Sequence, residues 1–169
     1  MVRPCPPALF ALSFISFILA LATRSQWTRF GPVNAIPLLT SIVTALATTR
    51  LEVILIGNAA AAIQGAPVTT LDFDFMFRAT RPNLEKLKRF AISLDAVILR
   101  PYYPASKLYR VVNEDRGLQA DFMPVIHGVK SFNSLRSRAD TVELAGHRLW
   151  VAHLSDIIAS KRAAGRAAR

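Results

Sequence analysis

From Leu71 to Phe77 the chain reads Leu-Asp-Phe-Asp-Phe-Met-Phe, and an alternation this regular dictates an extended strand. Successive side chains of a strand leave on opposite faces, so Phe73, Phe75 and Phe77 share one face while Asp72, Asp74, Met76 and Arg78 share the other. The aromatic face belongs to a core, and the two carboxylates stand together opposite it. They lie roughly 6–7 Å apart along the strand, where an effective dielectric near 20 makes their repulsion on the order of 2–3 kcal/mol. A bound cation removes that cost. The alternative is a solvated strand face on which Arg78 balances the charge.

The flanking sequence bears on this choice. Residues 51–56 (LEVILI) form a short, largely apolar run rich in β-branched side chains, as expected of a strand buried on both faces. Gly57-Asn58, four alanines, Ile63-Gln64, Gly65 and Pro67 follow, which reads as a turn, a short helix and a stop. Asn58 is placed to cap that helix and Gly65 to end it in a left-handed conformation. The free N–H groups of a helix N-terminus suit a phosphate, and Gly57 permits close approach. Downstream, residues 118–123 (LQADFM) put Leu118, Ala120 and Phe122 on a core face and Gln119, Asp121 and Met123 on the other. With residues 107–113 and a turn at 114–117 they form a hairpin, and Asp121 joins Asp72 and Asp74 if its strand is their neighbour.

In this order the residues resemble the nucleotidyltransferase fold of the DNA polymerase beta superfamily, in particular its small bacterial members, including AbiE-type toxin nucleotidyltransferases. The matching features are Gly57-Asn58 at the mouth of a helix, the strand Thr70-Leu71-Asp72-Phe73-Asp74, and the later Asp121. Residues 149–166 look like the helix on which these proteins carry a phosphate-binding lysine, here Lys161, with Ser155 as its N-cap. The resemblance covers roughly residue 38 onward. It implies an α/β (α+β) domain with a mixed sheet and flanking helices, and a metal-dependent transfer of a nucleoside monophosphate from a triphosphate to an RNA (tRNA) or protein hydroxyl. A toxin–antitoxin pair is the implied setting, with an antitoxin as partner. Two magnesium ions would sit on Asp72, Asp74 and Asp121, while Gly57, Asn58, Thr70 and Lys161 would hold the triphosphate. Magnesium prefers hard oxygen ligands, and such ions neutralise charge at both ends of an in-line displacement. Two departures accompany the likeness. Asn58 stands where relatives more often carry Gly or Ser, and relatives usually continue past this point into another helix with acidic residues, so part of the acceptor surface is expected to be missing. The second reading is a catalytically inert member that binds RNA, nucleotide or a partner protein.

Composition bounds the rest. A chain of 169 residues with 52% hydrophobic content is long enough for one domain with a full core. Its net charge of +10 suits a polyanion, RNA before DNA for this family, and a membrane is not the expected partner. His127, His147 and His153 have no partner cysteines and no zinc-binding spacing, so they read as structural or solvent-facing. The single cysteine, Cys5, excludes an intrachain disulfide.

Residues 1–26 form a leader: Arg3 precedes an apolar run over 8–22 that ends Ala20-Leu21-Ala22, the form of a secretory signal peptide. The run is shorter than the ~20 residues a spanning helix needs. A triphosphate-using enzyme belongs where triphosphates are plentiful, so a cytoplasmic protein is expected, with its true start downstream of Met1, at Val33 or Leu38. Residues 27–37 read as a linker and 38–169 as the domain. Periodicity predicts helices over 38–49 and 80–94, and a short strand over 96–99. Tyr102 and Tyr103 fall in a loop, where they stack a base or simply pack the loop.

Overall fold

The computed structural model describes residues 35–101 and 103–165. The elements run α1 (Ala35–Thr49), β1 (Val53–Ile56), α2 (Gly57–Ile63), β2 (Asp72–Phe77), α3 (Arg81–Ser93), β3 (Val97–Leu99), β4 (Tyr109–Asn113), β5 (Leu118–Met123), α4 (Phe132–Arg136), β6 (Asp140–Leu144), β7 (His147–Val151) and α5 (Leu154–Ala163). The strands make one mixed sheet in the order β3-β4-β5-β2-β1-β7-β6, the α/β architecture expected from the alternation of patterns. Strand β2 lies antiparallel to β1 and parallel to β5, so the acidic strand is central.

The core follows the strand alternation. Phe73, Phe75 and Phe77 are buried, with Ala120 and Phe122 of β5 on the same face. Phe75 stacks on Phe122 at 5.1 Å between ring centroids, and Phe90 of α3 meets Phe122 edge-on at 5.3 Å. Helix α1 packs beside α3, closing this face. On the opposite face α2 packs against β1, β2 and α5. Strand β1 is buried throughout, because it is covered from both sides.

Two side-chain amides lock elements together. Asn83, buried in α3, accepts from Glu52 N–H at 2.9 Å and donates to the Glu52 and Arg78 carbonyls at 3.1 and 2.8 Å, copying strand pairing where β1 begins and β2 ends. Gln64, just past α2, donates to the Ala60 and Ala152 carbonyls at 2.9 and 2.8 Å and accepts from Leu154 N–H at 3.0 Å. It ties the end of α2 to the first residue of α5.

Several local expectations need correction. The first helix begins at Ala35, so it takes in the last three residues of the stretch read as linker. Residues 149–151 are the end of strand β7, not helix, and α5 starts at Leu154. Its N-cap is His153, which accepts from Ser155 N–H; Ser155 lies inside the helix. Asn58 does not cap α2 either, since the helix already begins at Gly57 and the position before it is Ile56. Apart from that helix expectation at 149–151, the hairpin β6–β7 carries no sequence expectation. Its two-residue turn, Ala145-Gly146, has φ of 51° and 73°, both in the left-handed region that such turns require. The leader, Tyr102 and Arg166 lie outside the described residues.

Candidate active site

The register of the ladder sets the positions of the acidic residues. In the parallel pair β2–β5, Asp74 lies directly opposite Asp121, which puts their backbones about 4.8 Å apart. Asp72 precedes Asp74 by two residues, on the same face, opposite Gln119. Asp72 is exposed, Asp74 half-buried and Asp121 only 8% exposed. The three line one open cleft of about 1010 Å³ together with Asn58, Thr70, Lys107, Arg110, His127 and Lys161. That volume is at the upper end of ordinary small-molecule sites.

Gly57 lies between two residues of the cleft wall, Ile56 and Asn58, where β1 enters α2. Its φ is +69°, and a Cβ added there would overlap the Asp74 carboxylate. The glycine therefore does two things: it lets the chain turn directly from strand into helix, and it leaves the space that the Asp74 carboxylate fills. Thr70 acts on the other side of the strand. Its hydroxyl donates to the Asp72 carbonyl at 3.2 Å and accepts from Asp72 N–H at 3.1 Å, a tight local turn that sets where β2 begins.

Lys161 projects from α5 and its Nζ donates to Asn58 Oδ1. The lysine and the residue after the turn glycine, read separately in the sequence as phosphate ligands, are thus joined as a pair. Arg162, in contrast, is exposed. Arg78 does not balance the carboxylates: its Nε lies 3.0 Å from Glu52 Oε2, and its guanidinium sits 5.1 Å from the centre of the Phe132 ring. Tyr103 is exposed and carries Arg100 at 4.2 Å from its ring centre.

The cation beside the acidic residues is instead Arg110, which sequence reasoning missed. On β4 it is the cross-strand partner of Asp121, and it grips that carboxylate side-on, Nε to Oδ1 at 2.8 Å and Nη2 to Oδ2 at 2.7 Å. Alternation along β4 places Arg110 opposite to the face of Val111, a signal that becomes legible only once the hairpin register is known. His127 was also missed as a cleft residue. Its loop is pressed onto α5 at Gly128, where a Cβ would come within 3.1 Å of Ala163 Cβ and 3.2 Å of the Ala159 carbonyl.

Among the described residues, no three His, Cys, Asp or Glu side chains meet in an arrangement that could hold a metal ion. Both Asp121 oxygens are engaged by Arg110, while the strand register sets Asp121 directly beside Asp74. Asp72 and Asp74 still offer hard oxygen donors from one strand face, chemistry that suits magnesium. No helix among the described residues is long and apolar enough to cross a membrane.

Comparison with known proteins agrees with this architecture. No protein-family model and no curated protein sequence matches the chain. Among solved structures, it is similar to a Thermotoga maritima protein assigned as a nucleotidyltransferase, with 17% identity and a TM-score of 0.59 over 77% of this chain and 84% of that one. It is also similar to the antibiotic-resistance factor ANT(2'')-Ia, with 15% identity and a TM-score of 0.51 over 73% of this chain and 67% of that one. The seven-stranded mixed sheet with its flanking helices is a nucleotidyltransferase fold.

Proposed function

We propose that the protein is a metal-dependent nucleotidyltransferase that moves a nucleoside monophosphate from a triphosphate to a hydroxyl of RNA or protein. The observation that carries this reading is the meeting of Asn58, Thr70, Asp72, Asp74, Asp121 and Lys161 in one cleft, with Gly57 shaped around the Asp74 carboxylate. Asp72 and Asp74 would hold magnesium, which when bound neutralises charge on the reacting phosphate. Lys161 would supply positive charge to the triphosphate: a phosphate oxygen offers its ammonium a stronger, charge-assisted partner than the neutral Asn58 amide. Asn58 would then turn its amide N–H toward the same triphosphate. Thr70 keeps Asp72 at the start of its strand, and Arg110 holds Asp121 at the cleft wall. A role in a toxin–antitoxin pair belongs to the same proposal.

The Arg110 grip on Asp121 favours a second reading, an inert module that binds nucleotide or RNA without transferring anything. One experiment separates the two. Purified protein is incubated with each labelled ribonucleoside triphosphate, magnesium, and total RNA or cell extract. Label transferred to an acceptor, and reduced at least 100-fold in Asp72→Asn or Asp74→Asn, supports the enzyme, because loss of the metal removes several kcal/mol of transition-state stabilisation. A magnesium-dependent rise in melting temperature with no label transferred supports the inert module.

A further inference from the structure

We propose that the Arg110 guanidinium is a built-in cation of the acidic site, neutralising Asp121 in place of a divalent ion, so that the cleft takes one divalent cation on Asp72 and Asp74. The inference rests on the proposed reading that this carboxylate pair holds a metal. Three observations carry it. The pairing is set by the backbone: Arg110 and Asp121 are direct partners in the β4–β5 ladder, so the guanidinium reaches the carboxylate without any element moving. The grip is a side-on fork with bonds of 2.8 and 2.7 Å, the strongest geometry available to such a pair. The Asp121 side chain is 11% exposed against 33% for Arg110, so the fork lies where water competes weakly.

Charge balance points the same way. Asp74 is the neighbour of Asp121 on its other side, and Asp72 lies two residues before Asp74. Lys107 and Lys161 line the same cleft as the three carboxylates and Arg110, so the chain's own cations already offset much of the acidic charge that a second ion would otherwise neutralise. A second ion on Asp121 would have to break both bonds of the fork and leave a guanidinium beside a divalent cation in a half-buried place, where like charges repel more than in water. Arg110 is thus a positioning residue: it holds the Asp121 carboxylate fixed beside Asp74 without itself reacting.

The test is a count of bound Mn²⁺ by electron paramagnetic resonance, with a non-hydrolysable triphosphate analogue present and nucleotide-only Mn²⁺ subtracted. Wild type should hold one ion per chain. Arg110→Gln should gain a second ion, and Mn²⁺ should raise its melting temperature more than that of wild type, because Asp121 has lost its partner. The double variant Arg110→Gln with Asp121→Asn should return to one. A purely structural ion pair would lower the melting temperature of Arg110→Gln without adding an ion, and that result overturns the inference. If Arg110→Gln does not fold, Asp121→Asn decides: a count still at one sustains the inference, and a count below that of wild type overturns it. Two ions on wild type, with nucleotide transfer present, overturn this inference and leave the nucleotidyltransferase reading standing. No ion on wild type and no transfer overturn both.

Discussion

Gly57 shows how a single residue couples backbone and chemistry. Its positive φ and its missing Cβ serve the same end, since the Asp74 carboxylate occupies the place where a side chain would begin. Gly57→Ala meets two costs: the left-handed conformation, about 1–2 kcal/mol for an L-residue, and the overlap with Asp74. The obstacle is the far end of a side chain, so Asp74 moves and the strands stay. The expected outcome is a folded protein, with melting temperature lowered by roughly 3–8 °C and nucleotide transfer reduced at least tenfold. Thermal melting and kcat/KM measured on one preparation check both halves. Of the residues that meet at this site, the alternation around Asp72 and Asp74 was legible in the sequence because a strand's period is local. The Arg110–Asp121 fork was missed, although the expected hairpin with its turn at 114–117 sets Asn113 opposite Leu118 and so Arg110 opposite Asp121 once the register is counted back from the turn.

Elements are held in place here by amides that imitate backbone. Asn83 serves three backbone groups at once, on Glu52 and Arg78, and so fixes α3 against the ends of β1 and β2. Asn83→Ala takes the acceptor from Glu52 N–H, while the Glu52 and Arg78 carbonyls keep bonds from Arg78 N–H at 3.4 Å and Thr80 N–H at 2.8 Å, and it should cost about 1–2 kcal/mol in chemical denaturation, with the m-value unchanged. The β6–β7 hairpin teaches the converse lesson. Its turn places Ala145 at a φ of 51°, where alanine is strained and asparagine is tolerated. Ala145→Asn should therefore stabilise the protein by about 0.5–1 kcal/mol, seen as a melting temperature raised by roughly 2–5 °C. The same fact explains why this hairpin escaped sequence reading: Ala-Gly lacks the Asn-Gly or Asp-Gly signal that marks such turns. The expected helix over 80–94 matched α3 closely, because Pro82 and the stripe of Leu84, Leu87, Phe90 and Ala91 announce both its start and its buried face.

At the scale of the molecule, residues Ala35–Arg169 form a compact unit of their own. The buried cluster of this unit runs from Ile42 of α1 to Ile157 of α5, so its first and last helices both contribute to the core. A chain beginning at Asn34 should therefore fold, with a melting temperature within about 3 °C of the full-length protein and a single cooperative transition. A fall of more than 10 °C would show that residues 1–33 belong to the core. Shortening from the other side should behave differently. Removing α5 would strip Lys161 from the cleft and Ile157 from the core together.

The sequence by itself determined strands β1 to β5, the buried faces of β2 and β5 and the shared face of Asp72 and Asp74, because those depend on a period of two residues read along a few neighbours. It also carried enough of the motif order to imply the fold that the solved structures share. Only the tertiary structure decided that Asp121 lies directly beside Asp74, that Lys161 rests on Asn58 from 103 residues away, and that Gln64 anchors the start of α5. Those contacts arise from strand order and register between distant segments. Register is set by how the faces of the whole sheet are covered, a property that no local stretch of the chain contains.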